Sequence, residues 1–307
     1  MIYFIVNEHS RSGKGADVWK QLEELLKKEE VPYQVRRTEY AGHAVQIAEE
    51  ISSLVDEEMK LVAVGGDGTI NEVVNGIVDF EKIQFGAIPT GSGNDFARGL
   101  GILETPQEIL LRILESKGTK RIDIGSVSWE GCEKPRLFLI SSGVGMDALV
   151  CKKALTSKLK KILNRLHLGK LTYLLITIQT ILSMQTADTR VVIDQNRKTL
   201  YKNQIFSAAM NFRAEGGGIP MAPDADAQDG LLSVCTIHGI PKLLTFFVLP
   251  FLVAAKHERF RGVKIENCTA CDLYMNKPLV LHTDGEYCGD VTEAHFKCLP
   301  GKLRILL

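Results

Sequence analysis

No charge of either sign dominates this sequence: Lys plus Arg and Asp plus Glu both total 37 over 307 residues. A nucleic-acid binder steered by its overall field wants a strong basic surplus, so bulk charge argues against that class and no nucleic-acid partner is expected. A membrane-spanning run is missing too. The stretch "LLTFFVLPFLVAA" at 243–255 holds thirteen apolar or nearly apolar residues broken by Pro250, short of the ~20 that a spanning helix needs. It reads as a buried helix or as one wall of an apolar pocket. "MIYFIVN" lacks a basic region, a long apolar run and a small-residue cleavage site, so a cytoplasmic location is expected. Internal repeats and low-complexity linkers are absent. Seven cysteines, an odd number, fit a reducing compartment rather than a disulfide framework. Cys268 and Cys271 have CxxC spacing, but in a β-rich stretch an offset of three points them to opposite faces, so they read as structural thiols and not as a zinc or redox pair.

What is present is an ordinary globular composition, 45% hydrophobic and 24% charged, in a chain long enough for two domains. Up to about residue 124, β-branched runs ("IYFIVN", "YQVRRT", "LVAV", "FGAIP") alternate with helical patterns such as Val18, Leu22, Leu25 and Leu26, or Ile70, Val73, Val74 and Ile77. That alternation predicts an α/β domain with a parallel sheet. From residue 125 extended runs dominate ("RLFLISSGV", "TRVVID", "NQIFSAAMNF", "LLSVCTI", "KPLVLHT"), predicting a mainly antiparallel second domain with helical insertions at roughly 147–186 and 241–259. The two are expected to pack closely around a cleft.

"LVAVGGDGTINEVVNGI" therefore joins a strand to a helix. The missing side chains of Gly65, Gly66 and Gly68 let backbone N–H groups approach a ligand, and a helix starting near Thr69 turns its positive end to the same point. An anion suits that place. Asp67, beside it, calls for a bridging divalent cation or a proton-handling role. A helix N-cap with a tight turn uses the same residues, and the stretch alone leaves both readings standing. A second loop of this kind, "IPTGSGNDFARGLG" at 88–101, follows the next strand with Asp95 as its acid, and two such loops on one parallel sheet point to a nucleotide crevice. Neither is a dinucleotide fingerprint, because Asn71 and Phe96 occupy the last position. "EHSRSGKG" at 8–15 is no Walker A loop, though Arg11 and Lys14 suit phosphate. "HTDGEYCG" allows a hairpin at Asp-Gly, or an extended strand with Asp284 and Glu286 on one face as proton acceptors. "PDADAQDGLL" fails as an EF-hand loop, with Gln228, Gly230 and Cys235 out of pattern.

In order, "NEHSRSGKG", "TEYAGHA", "GGDGTINEVVNG", "IPTGSGNDFAR", "GGGIPMAPDADAQDGLLSV" and "HTDGE" resemble the diacylglycerol kinase catalytic-domain family, especially its soluble bacterial lipid kinases, from about residue 2 to the C-terminus. The resemblance implies a nucleotide-binding α/β domain of the phosphofructokinase and NAD-kinase type, residues 1–124 with a C-terminal tail of about 295–307, and a β-sandwich domain at 125–294. It implies ATP held by Gly65, Gly66, Gly68 and Thr69 with Arg11, Lys14, Thr38, Gly91, Ser92, Asn94 and Asp95. It implies a catalytic Mg2+ placed by Asp67, and Glu286 as general base with Asp284 beside it. A second, structural Mg2+ or Ca2+ would sit on Asp226, Asp229 and the carbonyl of Leu231. The activity implied is γ-phosphoryl transfer to a lipid hydroxyl, diacylglycerol first. Another hydroxylated lipid, a small molecule, or a nucleotide-binding regulator without catalysis are the alternatives. Residues 152–170, "KKALTSKLKKILNRLHLGK", carry seven Lys or Arg and no acid and suggest peripheral contact with an anionic membrane bearing the lipid substrate. A homodimer is left open.

Overall fold

The computed structural model describes residues 1–54, 57–156 and 179–307. Its chain divides into two compact units, residues 1–124 with 216–218 and 299–307, and residues 125–215 with 219–298.

The first unit runs β1 (Ile2–Val6), α1 (Lys14–Lys28), β2 (Tyr33–Arg37), α2 (His43–Ser53), β3 (Met59–Gly65), α3 (Asp67–Gly76), β4 (Ile83–Pro89), α4 (Asp95–Gly99) and α5 (Pro106–Glu115). β1 pairs in parallel with β2 on one side and β3 on the other, and β3 pairs in parallel with β4. The C-terminal residues add Ile305 beside Phe85, again in parallel. Strands covered on both faces must be apolar on both, which is why residues 61–65 are buried without alternation. Trp19, Leu22 and Leu26 of α1 and Ile109, Leu110 and Ile113 of α5 pack on Phe4, Val62 and Ile88, each fully buried large side chain contributing about 1.5–3 kcal/mol before entropy is counted. α2 and α3 approach closely at Gly76, where a Cβ would lie 2.2 Å from the Val45 carbonyl oxygen. α5 begins with a capping box, Thr105 and Glu108 satisfying each other's backbone N–H, and Pro106 in its first turn. At its far end Lys60 Nζ donates to the carbonyls of Ile113 (2.7 Å) and Ser116 (3.2 Å), a cation where the helix dipole favours one.

The second unit contains β5 (Lys120–Ser128, from Gly125 on), β6 (Arg136–Phe138), β7 (Ser141–Gly145), α6 (Met146–Thr156), β8 (Ala187–Ile193), β9 (Arg197–Met210), β10 (Leu232–His238), α7 (Lys242–Val253), β11 (Val263–Cys268), β12 (Ala270–Thr283) and β13 (Glu286–Ile305, to Cys298). The pairings of β7 with β9 and β12, β8 with β9 and β12, β10 with β9 and β11, and β12 with β13 are all antiparallel. Two apolar clusters form its interior, one around Phe138, Leu273, Leu281 and Phe296, the other around Phe206, Met210, Ile237 and Leu252.

Two expectations need correction. The chain passes from β11 to β12 at Thr269, between Cys268 and Cys271, so the opposite-face argument does not apply. Both thiols are buried in the same cluster, and burial pushes Cys268 up to about 12 and Cys271 upward as well. Inert, protonated thiols result. The apolar run at 243–255 is not wholly interior: Leu244, Phe247, Phe251 and Val253 are exposed. The basic stretch at 152–170 lies outside the described residues from 157 on. Of its described cations, Lys152 pairs with Asp290 at 3.2 Å and lies 4.1 Å from the centre of the Tyr287 ring, and Lys153 donates to Ser183 Oγ at 2.6 Å.

Candidate functional site

In the first unit, the loops leaving β1, β3 and β4 are tied to one another. Asn7 Nδ2 donates to Thr69 Oγ1 (2.9 Å), the Ser10 and Thr90 hydroxyls lie 2.7 Å apart, and the Thr90 N–H donates to the Gly65 carbonyl (2.8 Å). The Thr38 N–H, just past β2, donates to Val6 at 3.0 Å. This lacing leaves no space for side chains. A Cβ on Gly65 would lie 2.5 Å from Thr69 Cβ, and one on Gly91 would lie 2.9 Å both from Gly66 Cα and from Asn94 Oδ1. The two glycine loops thus meet backbone to backbone, the arrangement that presents bare N–H groups to an anion. Arg11 and Lys14 are exposed, Arg11 with φ 48° and Lys14 opening α1. Ser92 is exposed, and Asn94, at φ 53°, keeps a buried Oδ1 with no hydrogen-bond donor.

Asp67 opens α3, two residues earlier than the sequence pattern indicated. Its carboxylate accepts the N–H groups of Asp95 (3.1 Å) and Phe96 (3.2 Å), the first donors of α4. Asp95 in turn accepts the Gly217 N–H at 2.8 Å and pairs with Arg98, which also reaches the Gly93 carbonyl at 2.8 Å. A carboxylate in this glycine-rich loop therefore needs no cation to account for it, because it accepts the first N–H groups of α4.

In the second unit "HTDGE" is a hairpin. Thr283 pairs with Glu286, and Asp284 and Gly285 take φ of 45° and 84°, the two left-handed residues of a type I′ turn. Asp284 and Glu286 consequently do not share a strand face. Asp284 Oδ2 accepts the Leu139 N–H (2.8 Å) while Oδ1 accepts those of Ile140 (2.8 Å) and Ser141 (3.0 Å). Glu286, half-exposed, is held by Arg136.

Behind the turn lies a group that sequence reading missed. Asp147, Glu215 and His282 bring one ligand atom each within 4.8 Å of one another, the single such grouping of three among the described residues. His282 Nε2 is 3.1 Å from Asp147 Oδ2, both side chains being buried, and Ser141 Oγ bonds to Glu215. The Gly285 N–H donates to His282 Nδ1 at 3.2 Å. A backbone N–H cannot reverse its role, so the uncharged ring carries its proton on Nε2, the nitrogen a metal would need. The arrangement fits a hydrogen-bonded support for the turn, not a cation site. The three residues are 67 to 135 positions apart, and only the place of His282, just before Asp-Gly-Glu, hinted at it in the sequence. Asp226 and Asp229 sit elsewhere, on an exposed turn where they accept the N–H groups of Gln228 (3.1 Å) and Leu231 (2.9 Å).

The proteins that this two-domain chain resembles place it in a class, the phosphotransferases. Residues 1–127 match the family model "Diacylglycerol kinase catalytic domain" and residues 141–307 match "YegS C-terminal NAD kinase beta sandwich-like domain". The chain belongs to the diacylglycerol kinase catalytic-domain family and is a lipid kinase with a C-terminal β-sandwich domain. It is 29% identical over 307 residues to YtlR of Bacillus subtilis (strain 168), whose lipid-kinase name is itself provisional, covering 99% of this chain and 98% of that protein. Over 284 residues it is 28% identical to a diacylglycerol kinase of the same strain, covering 90% and 87%. A crystal structure of a provisionally named diacylglycerol kinase from Bacillus anthracis str. Sterne superposes with a TM-score of 0.75 at 22% identity, over 99% of this chain and 96% of that one.

Proposed function

We propose that the protein transfers the γ-phosphoryl group of ATP to the free hydroxyl of diacylglycerol, giving phosphatidic acid and ADP, as a cytoplasmic enzyme that works at the membrane surface. The observation that carries this reading is the close approach of Gly66 to Gly91, where a Cβ on Gly91 would lie 2.9 Å from Gly66 Cα and force apart the two loops whose bare backbone suits an anion. Gly65, Gly66, Gly68 and Thr69 with Gly91, Ser92, Asn94 and Asp95 would hold the nucleotide, assisted by Thr38 and by the cations Arg11 and Lys14. Asp67, compensated by α4, would also hold Mg2+, whose contribution when bound is to neutralise charge on the transferring group. A new bond forms between the lipid oxygen and γ-phosphorus as the bond from γ-phosphorus to the β–γ bridging oxygen breaks. Glu286 takes the hydroxyl proton, its carboxylate oriented by Arg136. Asp284 acts through the turn that presents Glu286. A second Mg2+ on Asp226, Asp229 and the Leu231 carbonyl would stabilise the second domain.

The test is γ-labelled ATP with Mg2+ and a panel of lipids and soluble polyols. Label in diacylglycerol is expected. Label only in another acceptor would reassign the substrate, and measurable ATP binding with no labelled acceptor would leave a regulator. Glu286→Ala should reduce kcat by about 100-fold or more while ATP affinity stays within a few fold; near-normal kcat would remove Glu286 from the reaction.

A further inference from the structure

α7 is apolar on every side, yet only one side is covered. Thr245, Val248 and Leu252 are buried, the latter two in the cluster with Phe206 and Ile237. At helical spacing on the other side stand Leu244, Phe247 and Phe251, exposed by 51%, 67% and 40%, with Val253 at 66%. Pro250, Ala254 and Ala255 are exposed with them. From 244 to 255 every exposed side chain is apolar, whereas a helix that ends in water puts charged or polar residues there. Single exposed apolar residues are ordinary, but a contiguous group that includes two phenylalanines marks a surface that meets something apolar.

The charges beside it indicate what that is. Exposed Lys256, Arg259 and Arg261 follow the helix directly, none is in an ion pair among the described residues, and Glu258 is the one acid between them. Lys256 also offsets the negative end of the helix dipole, but Arg259 and Arg261 lie beyond its last turn. Apolar residues flanked by unpaired cations match the boundary of a bilayer with anionic headgroups, where phenylalanines enter the acyl region and cations stay at the phosphates. No described helix is long and apolar enough to cross a membrane, so α7 would lie in the interface. We infer that the exposed face of α7, with Lys256, Arg259 and Arg261, is the surface by which this protein docks on anionic lipid bilayers. The choice of a bilayer over a second copy of the chain rests on its membership of a lipid-kinase family.

Vesicle sedimentation tests this without ATP or diacylglycerol. The full chain should bind vesicles of phosphatidylcholine plus phosphatidylglycerol in low salt, and bind phosphatidylcholine alone far less. Phe247→Ser/Phe251→Ser should bind the mixed vesicles at least about tenfold more weakly. Lys256→Gln/Arg259→Gln/Arg261→Gln should lose about tenfold to a hundredfold on anionic vesicles only. Phe251 also packs edge-on against Phe260, ring centres 5.1 Å apart, so Phe247→Ser alone, at a residue 67% exposed, is the control that should melt like the parent chain and still bind the mixed vesicles more weakly. Wild-type protein that ignores anionic vesicles, or a double phenylalanine variant that sediments like it, overturns the inference. So does a concentration-dependent dimer that the same double variant abolishes, which would give the face to a second copy. Vesicle binding that persists while no lipid is phosphorylated supports the docking surface and removes the diacylglycerol reaction instead.

Discussion

Asp284 offers the sharpest separation of a structural from a catalytic role. Its carboxylate accepts three backbone N–H groups, from Leu139, Ile140 and Ser141, all in buried residues. Truncation in Asp284→Ala strands three donors at about 1–3 kcal/mol each. The φ of 45° adds about 1 kcal/mol for a residue that seldom adopts the left-handed region. Even with partial relaxation the loss is on the order of 4–6 kcal/mol, a large share of the ~5–15 kcal/mol that holds a domain together. Asp284→Asn is the informative variant, because asparagine tolerates that φ and its oxygen at the Oδ1 position still serves Ile140 and Ser141. Its amide nitrogen would face the Leu139 N–H, donor against donor, at a cost of about 2 kcal/mol.

Urea unfolding of both variants, together with kcat measured well below the transition, gives the answer. The geometry predicts a graded loss of stability, alanine much more than asparagine, with a smaller fall in kcat that tracks displacement of the turn. An Asp284→Asn protein as stable as the parent but with kcat lower by about 1000-fold would refute the argument, since that is the signature of a group acting in the transition state.

Gly91→Ala places a methyl group 2.9 Å from Gly66 Cα, so ATP affinity measured by calorimetry should fall by about tenfold or more; unchanged affinity would move the nucleotide elsewhere. Burial lowers the His282 pKa, but the hydrogen bond and charge of Asp147, with Glu215 and Asp284, outweigh it and carry the ring from 6.5 to about 8. A folded pKa above the unfolded one supplies stability that is complete below about 6.5 and disappears as pH rises through about 8, on the order of 2 kcal/mol at most. The upper bound arises because charging the ring obliges the Gly285 N–H to leave Nδ1. Urea unfolding against pH should show that slope in the parent and a flatter curve in His282→Gln; identical curves would exclude His282 as its source. For Asp229→Ala, lost melting temperature in Mg2+ and an abolished response to EDTA are expected, while a parent chain whose melting is the same in Mg2+ and EDTA would exclude the structural ion.

Much of the element pattern was legible because each buried strand of the first unit must be apolar on both faces and each helix on one. "LVAV" and the stripe of Ile70, Val73 and Val74 carry those periods plainly, and the glycine loops stand where strand turns to helix. Three features were not legible, each for a definite reason. Asp-Gly in "HTDGE" already favoured a hairpin, but only the paired Thr283 and Glu286 show that both central residues go left-handed. The Asp147–Glu215–His282 group arises from long-range antiparallel pairing, which leaves no local period. α7 is apolar at Val248 and Leu252 and equally at Leu244, Phe247 and Phe251, so its hydropathy cannot say which face is covered.

The same physics decides which acids to assign to chemistry. A carboxylate in a glycine-rich loop looks functional because loops expose it, but loops also expose backbone N–H groups that need acceptors. Asp67 answers that need for the first turn of α4, next to the glycines, where a negative charge balanced by a helix end can still serve a neighbouring cation. Asp284 answers it for Leu139, Ile140 and Ser141, and its work is to fix a turn. Glu286 stands one residue beyond that turn, half-exposed and paired with an arginine side chain instead of backbone. An ion pair between side chains can open and reclose within a catalytic cycle, whereas three backbone donors cannot be released without moving the strand ends. Within the proposed reaction Glu286 is therefore the acid suited to proton transfer, on a turn that Asp284 and His282 hold through backbone N–H groups.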